Sequence, residues 1–420
     1  MDASSRLERA QPETSFAAAS EGSAALHPKK QKPRPVAFWL HNIFGLKLSL
    51  FLGFVCLTGT IATVAHEIEW LYKPEVRATA HEVGTEDWGA MWEAAQRAYP
   101  DATLSSIGTF DRSDSSYFAK SVSAQDAAGE GFTIYVDPGT NTVTGHEYGR
   151  SLQDFMRAIH YYLFIPRDVG FYLVSSLAFV LLGSLVTGLI IYKKFWRGFF
   201  KMPRVDRNLR TLLGDLHRLF GLWSAWFAAV IALTSIYYFF EWSGLDWNSP
   251  TPQVEVSHSI TTASAAQVDR WSAIAREAKP GIAITAIYLP YTETDPVIVQ
   301  GHWQAALVRE RADAVFIDPA TSAIVGQRTA HEMGIGERIV HTVDPLHFGT
   351  FGGLVTKIIW AVFGLLLTIL AVTGACIYAK RTRLAIREGV NLSFLDYLGA
   401  WKWPSVALVT VVPAIAFLFW

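Results

Sequence analysis

Six of the chain's twelve histidines stand where long apolar runs begin or end: His41, His66, His160, His217, His341 and His347. Imidazole is the side chain that changes charge near neutral pH, and as a neutral ring it is a common metal ligand. His41 opens "HNIFGL" at residues 41–46 and His217 opens "HRLFGL" at 217–222, each followed by an apolar stretch. The other six read as solvent or structural residues. His27 lies near the N-terminus, and His81, His146, His258, His302 and His331 lack ligand-like spacing.

Paired histidines on facing helices suit a haem, because two neutral imidazoles can ligate one iron from opposite faces. Zinc binding and a proton relay stay open as alternatives. His41 and His217 form one candidate pair. His160 has two possible mates. Counted from an Asp-Pro turn, Asp137 to His160 and Asp318 to His341 are both 23 residues. Counted back from a Thr-Gly pair, Gly188 to His160 is 28, Gly374 to His347 is 27 and Gly374 to His341 is 33. The second ruler is expected to run along a helix, where spacing sets depth, so His347 is preferred over His341. His66, in "AHEIEWLYKP", is a further candidate, with Glu67 and Glu69 as supporting or outer-surface groups. From His41 to His66 is 25 residues, about 37 Å of helix, which predicts separate inner and outer sites.

The elements that must position these residues are membrane spans. Of 420 residues, 51% are hydrophobic and only 17% charged, below the roughly 25% charged of soluble domains. Apolar runs predict spans at 37–65, 169–193, 214–240 and 353–379, with a fifth at 404–420. Residues 1–36 read as a polar, disordered tail without a secretory cleavage pattern. Basic clusters precede the first span (Lys29, Lys30, Lys32, Arg34), fill the 194–213 loop, and follow the fourth span in the 380–403 linker (Lys380, Arg381, Arg383, Arg387). The excess of Lys and Arg predicts that these segments, and the N-terminus, are cytoplasmic. The long segments 66–168 and 241–352 then lie outside.

The chain reads as one unit written twice. Thr58 and Thr234 each follow their helix-starting histidine by 17 residues. "FTIYVDPGTNTVTG" at 132–145 parallels "DAVFIDPATSAIVG" at 313–326, both strand, Asp-Pro turn, strand. Helical stretches at 85–98 and 264–278 precede these strands, and Thr187-Gly188 and Thr373-Gly374 lie near the ends of the second and fourth spans. Both units enter the membrane in the same direction, so the repeats are expected to be parallel about an axis along the membrane normal. The fold class expected is a mainly α membrane protein: a four-helix core from a parallel two-fold repeat, a C-terminal fifth helix, and two small external α+β domains. Cys56 and Cys376 both fall in predicted spans, which argues against an external disulfide framework.

These motifs together, "HNIFGL/HRLFGL", "HEIEWLYKP", "RAIHYYLF" and "DPLHFGTFGG", resemble the PepSY-associated transmembrane family over about residues 38–380. That family includes iron-regulated proteins and di-haem ferric-siderophore reductases of the bacterial inner membrane. The resemblance implies two PepSY-like periplasmic domains and two b-type haems with bis-His ligation. Its matching ligand positions are His41, His217, His160 and His347, with His66 as a substitute or extra ligand. It further implies electron transfer to a ferric siderophore or other ferric chelate outside. The donor would be quinol or another protein, since no nucleotide or flavin fingerprint is present, and no nucleic-acid partner is expected. A membrane-anchored PepSY binding module and a siderophore transporter are the competing readings.

Overall fold

The structure, a computed structural model, describes residues 36–110, 116–248, 251–253 and 262–385, together with Trp403, Val406, Ala407 and Thr410. The expected tail, the fifth span and most of the 380–403 linker therefore lie almost wholly outside the described residues.

The first apolar run is not one straight helix. It forms α1 (Val36–Lys47), α2 (Ser49–Thr63) and α3 (Ala65–Tyr72). The α2–α3 break at Val64 bends the path by 55°. α4 (Trp88–Ala98) is capped by Asp87, whose carboxylate accepts the Ala90 N–H. Strands β1 (Thr103–Thr109), β2 (Lys120–Gln125), β3 (Gly131–Asp137) and β4 (Thr142–Tyr148) follow. α5 (Leu152–Tyr162) starts at a Ser151/Asp154 capping box and leads to the long α6 (Arg167–Ile191).

The second half repeats this order apart from α3, which has no counterpart among the described residues. α7 (Leu209–Trp223) and α8 (Ala225–Trp242) meet at Ser224, seven residues after His217, as α1 and α2 meet at Leu48, seven residues after His41. Then come α9 (Ala265–Ala278), β5 (Ala283–Tyr288), β6 (Val297–His302), β7 (Asp313–Ile317), β8 (Ile324–Arg328), α10 (Ile335–Phe348) and α11 (Gly353–Ala385). The Asp-Pro turns at 137–138 and 318–319 both close antiparallel hairpins.

Among the described residues, three helical stretches are long and apolar enough to cross a membrane, Arg167–Ile191, Ala225–Trp242 and Thr350–Ile377. The bent pair Ser49–Thr63 and Ala65–Tyr72 makes a fourth if it counts as one span. This is a multi-pass membrane protein with an extramembrane sheet. The helices interlock across the two halves: α2 packs on α11 and α8 on α6, while α1 lies against α6 and α7 against α11.

One expectation is corrected. The external parts are not two small domains but a single open, antiparallel eight-stranded sheet, in the order β4-β3-β2-β1-β5-β6-β7-β8. The junction pairs Ser106 with Tyr288, Ile107 with Ile287 and Gly108 with Ala286. Helices α4 and α9 cover one face together, and Trp88, Trp92 and Trp271 share one core with Ile107, Ile134, Ile287 and Val315. The two halves also bond across this core, Trp92 Nε1 donating to the Ala263 carbonyl at 2.9 Å and the Gly89 N–H to Asp269 at 2.7 Å, so each half completes the other's.

The junction depends on a close approach. A Cβ at Gly108 would sit 2.8 Å from the Ala286 Cβ and 3.0 Å from the Thr285 carbonyl oxygen. Gly108→Val should therefore cost about 1–3 kcal/mol by overpacking. Hydrogen exchange should then speed up in β1 and β5 before it does in β3 and β7; uniform protection across the sheet would show that the junction is not where the halves are joined.

Candidate functional site

Four of the predicted histidines come together as two pairs. The ring centroids of His41 and His217 are 6.5 Å apart, and those of His160 and His347 are 6.4 Å apart. Each ring is held through Nδ1. His41 Nδ1 lies 3.0 Å from the Ser184 carbonyl and 3.1 Å from Thr187 Oγ1. His160 Nδ1 lies 3.0 Å from the Val55 carbonyl and 3.3 Å from Thr58 Oγ1. His217 Nδ1 meets Thr373 Oγ1 at 3.1 Å, and His347 Nδ1 meets Thr234 Oγ1 at 2.9 Å.

These bonds assign the tautomer. A carbonyl only accepts, so Nδ1 of His41 and His160 carries the proton. Thr373 and Thr234 already donate their hydroxyl protons to the Ile369 and Val230 carbonyls, at 2.8 Å each. They must therefore accept from Nδ1–H of His217 and His347. In the neutral ring this tautomer leaves the Nε2 lone pair over, the form in which imidazole ligates a metal.

The threonines were visible in the sequence as landmarks of the repeat, but their role as histidine partners was not. The same holds for the small residues beside them. A Cβ on Gly59 would lie 2.6 Å from the His160 ring, one on Gly374 3.2 Å from His217, and one on Gly188 3.4 Å from His41. Ser235 takes this place after Thr234 and lines the outer cavity.

His160 and His347 do not ride on spanning helices. They sit on α5 and α10, which fold back before α6 and α11. The first turn uses the left-handed residues Leu163 (φ 57°) and Phe164 (φ 56°), the second Gly349 (φ 71°). The ruler back from the Thr-Gly pairs thus crosses a turn in both halves. The expected 37 Å span from His41 to His66 also fails as a site-to-site distance, because the chain breaks at Leu48 and Val64. The packing of α2 on α11 gives the spacing instead. Gly53 faces Ala371 and Thr60 faces Gly364, which puts Thr58 opposite Leu366, seven residues from Thr373. The two levels are about 10 Å apart along the helix.

His66 lines the outer cavity, its ring 4.7 Å from Phe110, without joining the pair. His341 is buried near Arg309, whose backbone N–H donates to the His341 carbonyl at 2.8 Å. Glu67 pairs with Lys357 at 2.5 Å, and Glu69 with Lys73 at 3.0 Å while accepting the Leu152 N–H. Tyr161 and Phe348 line the cavity beside the outer pair, whereas Phe351 packs on Trp360 and Tyr162 on Phe164. Tyr238, not singled out in the sequence, lies 5.2 Å from His347 and donates its hydroxyl to Asp344 at 2.6 Å.

The outer cavity has a volume of about 390 Å³, within the range of cofactor sites. A metal held between two imidazoles, with bonds of about 2.0–2.1 Å and each ring centroid about 1.1 Å behind its nitrogen, keeps the centroids about 6.3 Å apart. Both pairs match. No group of three or more His, Cys, Asp or Glu side chains suited to a metal ion occurs among the described residues. Two imidazoles do not complete a zinc site, but they suffice for a group that brings its own equatorial nitrogens. The donor set thus fits a haem.

Comparison with known families agrees with the extent of this architecture. The model for the PepSY-associated TM region matches residues 38–381. No curated protein sequence matches the chain.

Two outcomes are expected. Gly59→Ala should disturb the outer pair more than Gly188→Ala disturbs the inner one, since its Cβ meets the ring at the shorter distance. Metalloporphyrin titration of the two variants checks this, and equal effects would deny that Gly59 seats His160. Separately, burial first, and then the charges of Arg328, Arg309 and Arg311, pushes His341 down to about 3. The unfolded chain takes up that proton near pH 6.5 and the folded one does not, so stability falls with pH across that window by about 1.4 kcal/mol per unit. His341→Leu should flatten the acid side of the denaturation profile between about pH 6.5 and 3.

Proposed function

The chain belongs to the PepSY-associated transmembrane family, and from that premise we propose that it is a di-haem membrane reductase that passes electrons to a ferric chelate. The observation that carries the reading is the pair of matched imidazole couples, each ring locked with Nε2 available. His41 and His217 hold the inner b-type haem, His160 and His347 the outer one. A bis-imidazole haem supplies a one-electron carrier whose potential the axial ligands and their hydrogen bonds tune.

The protein's own residues do the rest. Thr58, Thr187, Thr234 and Thr373 hold the rings in one tautomer, so no proton needs to move at the ligands as charge passes. Phe227, Trp360 and Leu367 give the cavity an apolar lining, which lowers the local dielectric around the outer pair. The basic segments put the inner pair toward the cytoplasm of a bacterial inner membrane and the sheet in the periplasm. The donor is quinol or a partner protein, and the acceptor is a ferric siderophore or another ferric chelate. Reduction favours release because Fe(II) is bound more weakly than Fe(III) by hard oxygen ligands.

A second reading is a non-enzymatic, membrane-anchored binding module. The open eight-stranded sheet favours it, since among the described residues its edge strands β4 and β8 each have a strand partner on one side only, the kind of edge to which an extended peptide can add. Siderophore transport is a weaker competitor that rests only on the matched halves.

Detergent-purified protein from haem-supplied cells should show a low-spin Soret spectrum with two haems per chain. His160→Ala or His347→Ala should remove about half of the haem and leave the inner signal. In proteoliposomes, a dithionite-reduced protein should be reoxidised by an impermeant ferric chelate only when the sheet faces the chelate. Colourless protein would leave the binding-module reading standing, and reoxidation from the opposite face would reverse the topology.

A further inference from the structure

The outer cavity carries more positive charge than its own carboxylates balance. Five cationic side chains line it, Arg157, Arg167, Arg309, Arg311 and Lys357, against Glu241 and Asp344. Arg309 is occupied by Asp344 at 2.8 Å, with Glu241 at 4.0 Å, and Lys357 by Glu67 at 2.5 Å. Arg157, Arg167 and Arg311 make no ion pair among the described residues. They come from three separate elements: α5, the first residue of α6, and the loop that leads into β7.

Two of them are held by stacking. The Arg157 guanidinium lies 5.2 Å from the centre of the Tyr161 ring, and that of Arg167 5.3 Å from the Trp242 ring. Contact with a ring face fixes the plane of a guanidinium and leaves its N–H edge free to donate. The loop carrying Arg311 is pinned to α10 by the Arg309 N–H bond to the His341 carbonyl. Guanidinium groups on fixed supports around one mouth match a ligand with several carboxylates, which they can engage bidentately.

We propose that Arg157, Arg167 and Arg311 form a carboxylate-binding rim over the outer histidine pair. Two sources share that chemistry: the propionates of a tetrapyrrole seated on His160 and His347, or an incoming anionic ferric chelate. The first source rests on the proposed function; the rim itself rests only on the arginines.

The test uses the purified full-length protein and the variant R157Q/R167Q/R311Q, with single R311Q as the version least able to disturb folding. Gallium(III) citrate serves as a redox-inert polycarboxylate probe, followed by calorimetry at two salt concentrations. Haem content and the two midpoint potentials are read on the same samples. If the rim takes the incoming chelate, gallium citrate binding weakens by about tenfold or more in the triple variant, loses its salt dependence, and haem content is unchanged. If it anchors the cofactor, gallium binding stays the same while the outer potential shifts or the outer haem is lost. Unchanged gallium binding with unchanged haem content and potentials would overturn the rim. Haem-free wild-type protein that still binds gallium citrate through these arginines would refute the proposed function and keep the rim.

Discussion

The arrangement depends on one interaction, a threonine hydroxyl accepting the Nδ1–H of a histidine from another helix. A threonine inside a helix usually turns its hydroxyl back to the carbonyl three or four residues earlier. Thr58, Thr187, Thr234 and Thr373 all do so, at 2.6–3.0 Å. That spends the donor and leaves a lone pair of fixed direction facing sideways. An imidazole meeting it has to present N–H. Tautomer, ring plane and reach are thus set by ordinary helix chemistry at four places in an apolar interior where an unpaired polar group would be costly.

The helix breaks follow from that constraint. To bring a histidine sideways onto a threonine, the chain must leave the axis of the span. α5 and α10 are short helices folded back against α2 and α8, with left-handed residues in the connecting turns. The breaks at Leu48 and Ser224, each seven residues after its histidine, give α1 and α7 directions of their own. The cross-packing of α2 on α11 and of α8 on α6 then ties the two halves at matched depths, which is why both ring separations come out nearly equal.

The sequence made the histidines, the two-fold writing of the chain and the spans legible, because all three are local patterns of residue type. The partnership of Thr58 with His160 crosses 102 residues and left only a coincidence of spacing. The two halves of the sheet also read as separate domains, since nothing in "TLSSIGT" announces that Gly108 admits a neighbouring strand. The Asp137 and Asp318 rulers matched His160 to His341, but the halves differ in length there, since α5 begins at Leu152 and α10 only at Ile335, and α10 is the longer helix. His341 is buried beside Arg309 and leaves the cavity to His347, the mate that the count back from the Thr-Gly pairs had preferred.

The joined sheet has a mechanical consequence. Its outermost strands, β4 and β8, lead into α5 and α10, the two helices that carry the outer histidines. Eight strands at about 4.8 Å spacing separate those edges by about 33 Å along the sheet, yet the rings at the ends of the two helices stand 6.4 Å apart. The shape is that of a calliper, with the sheet as its wide bow and the imidazoles as its tips. The span of one continuous sheet thus enters into what sets the separation of the two outer rings, together with the packing of α5 on α2 and of α10 on α8.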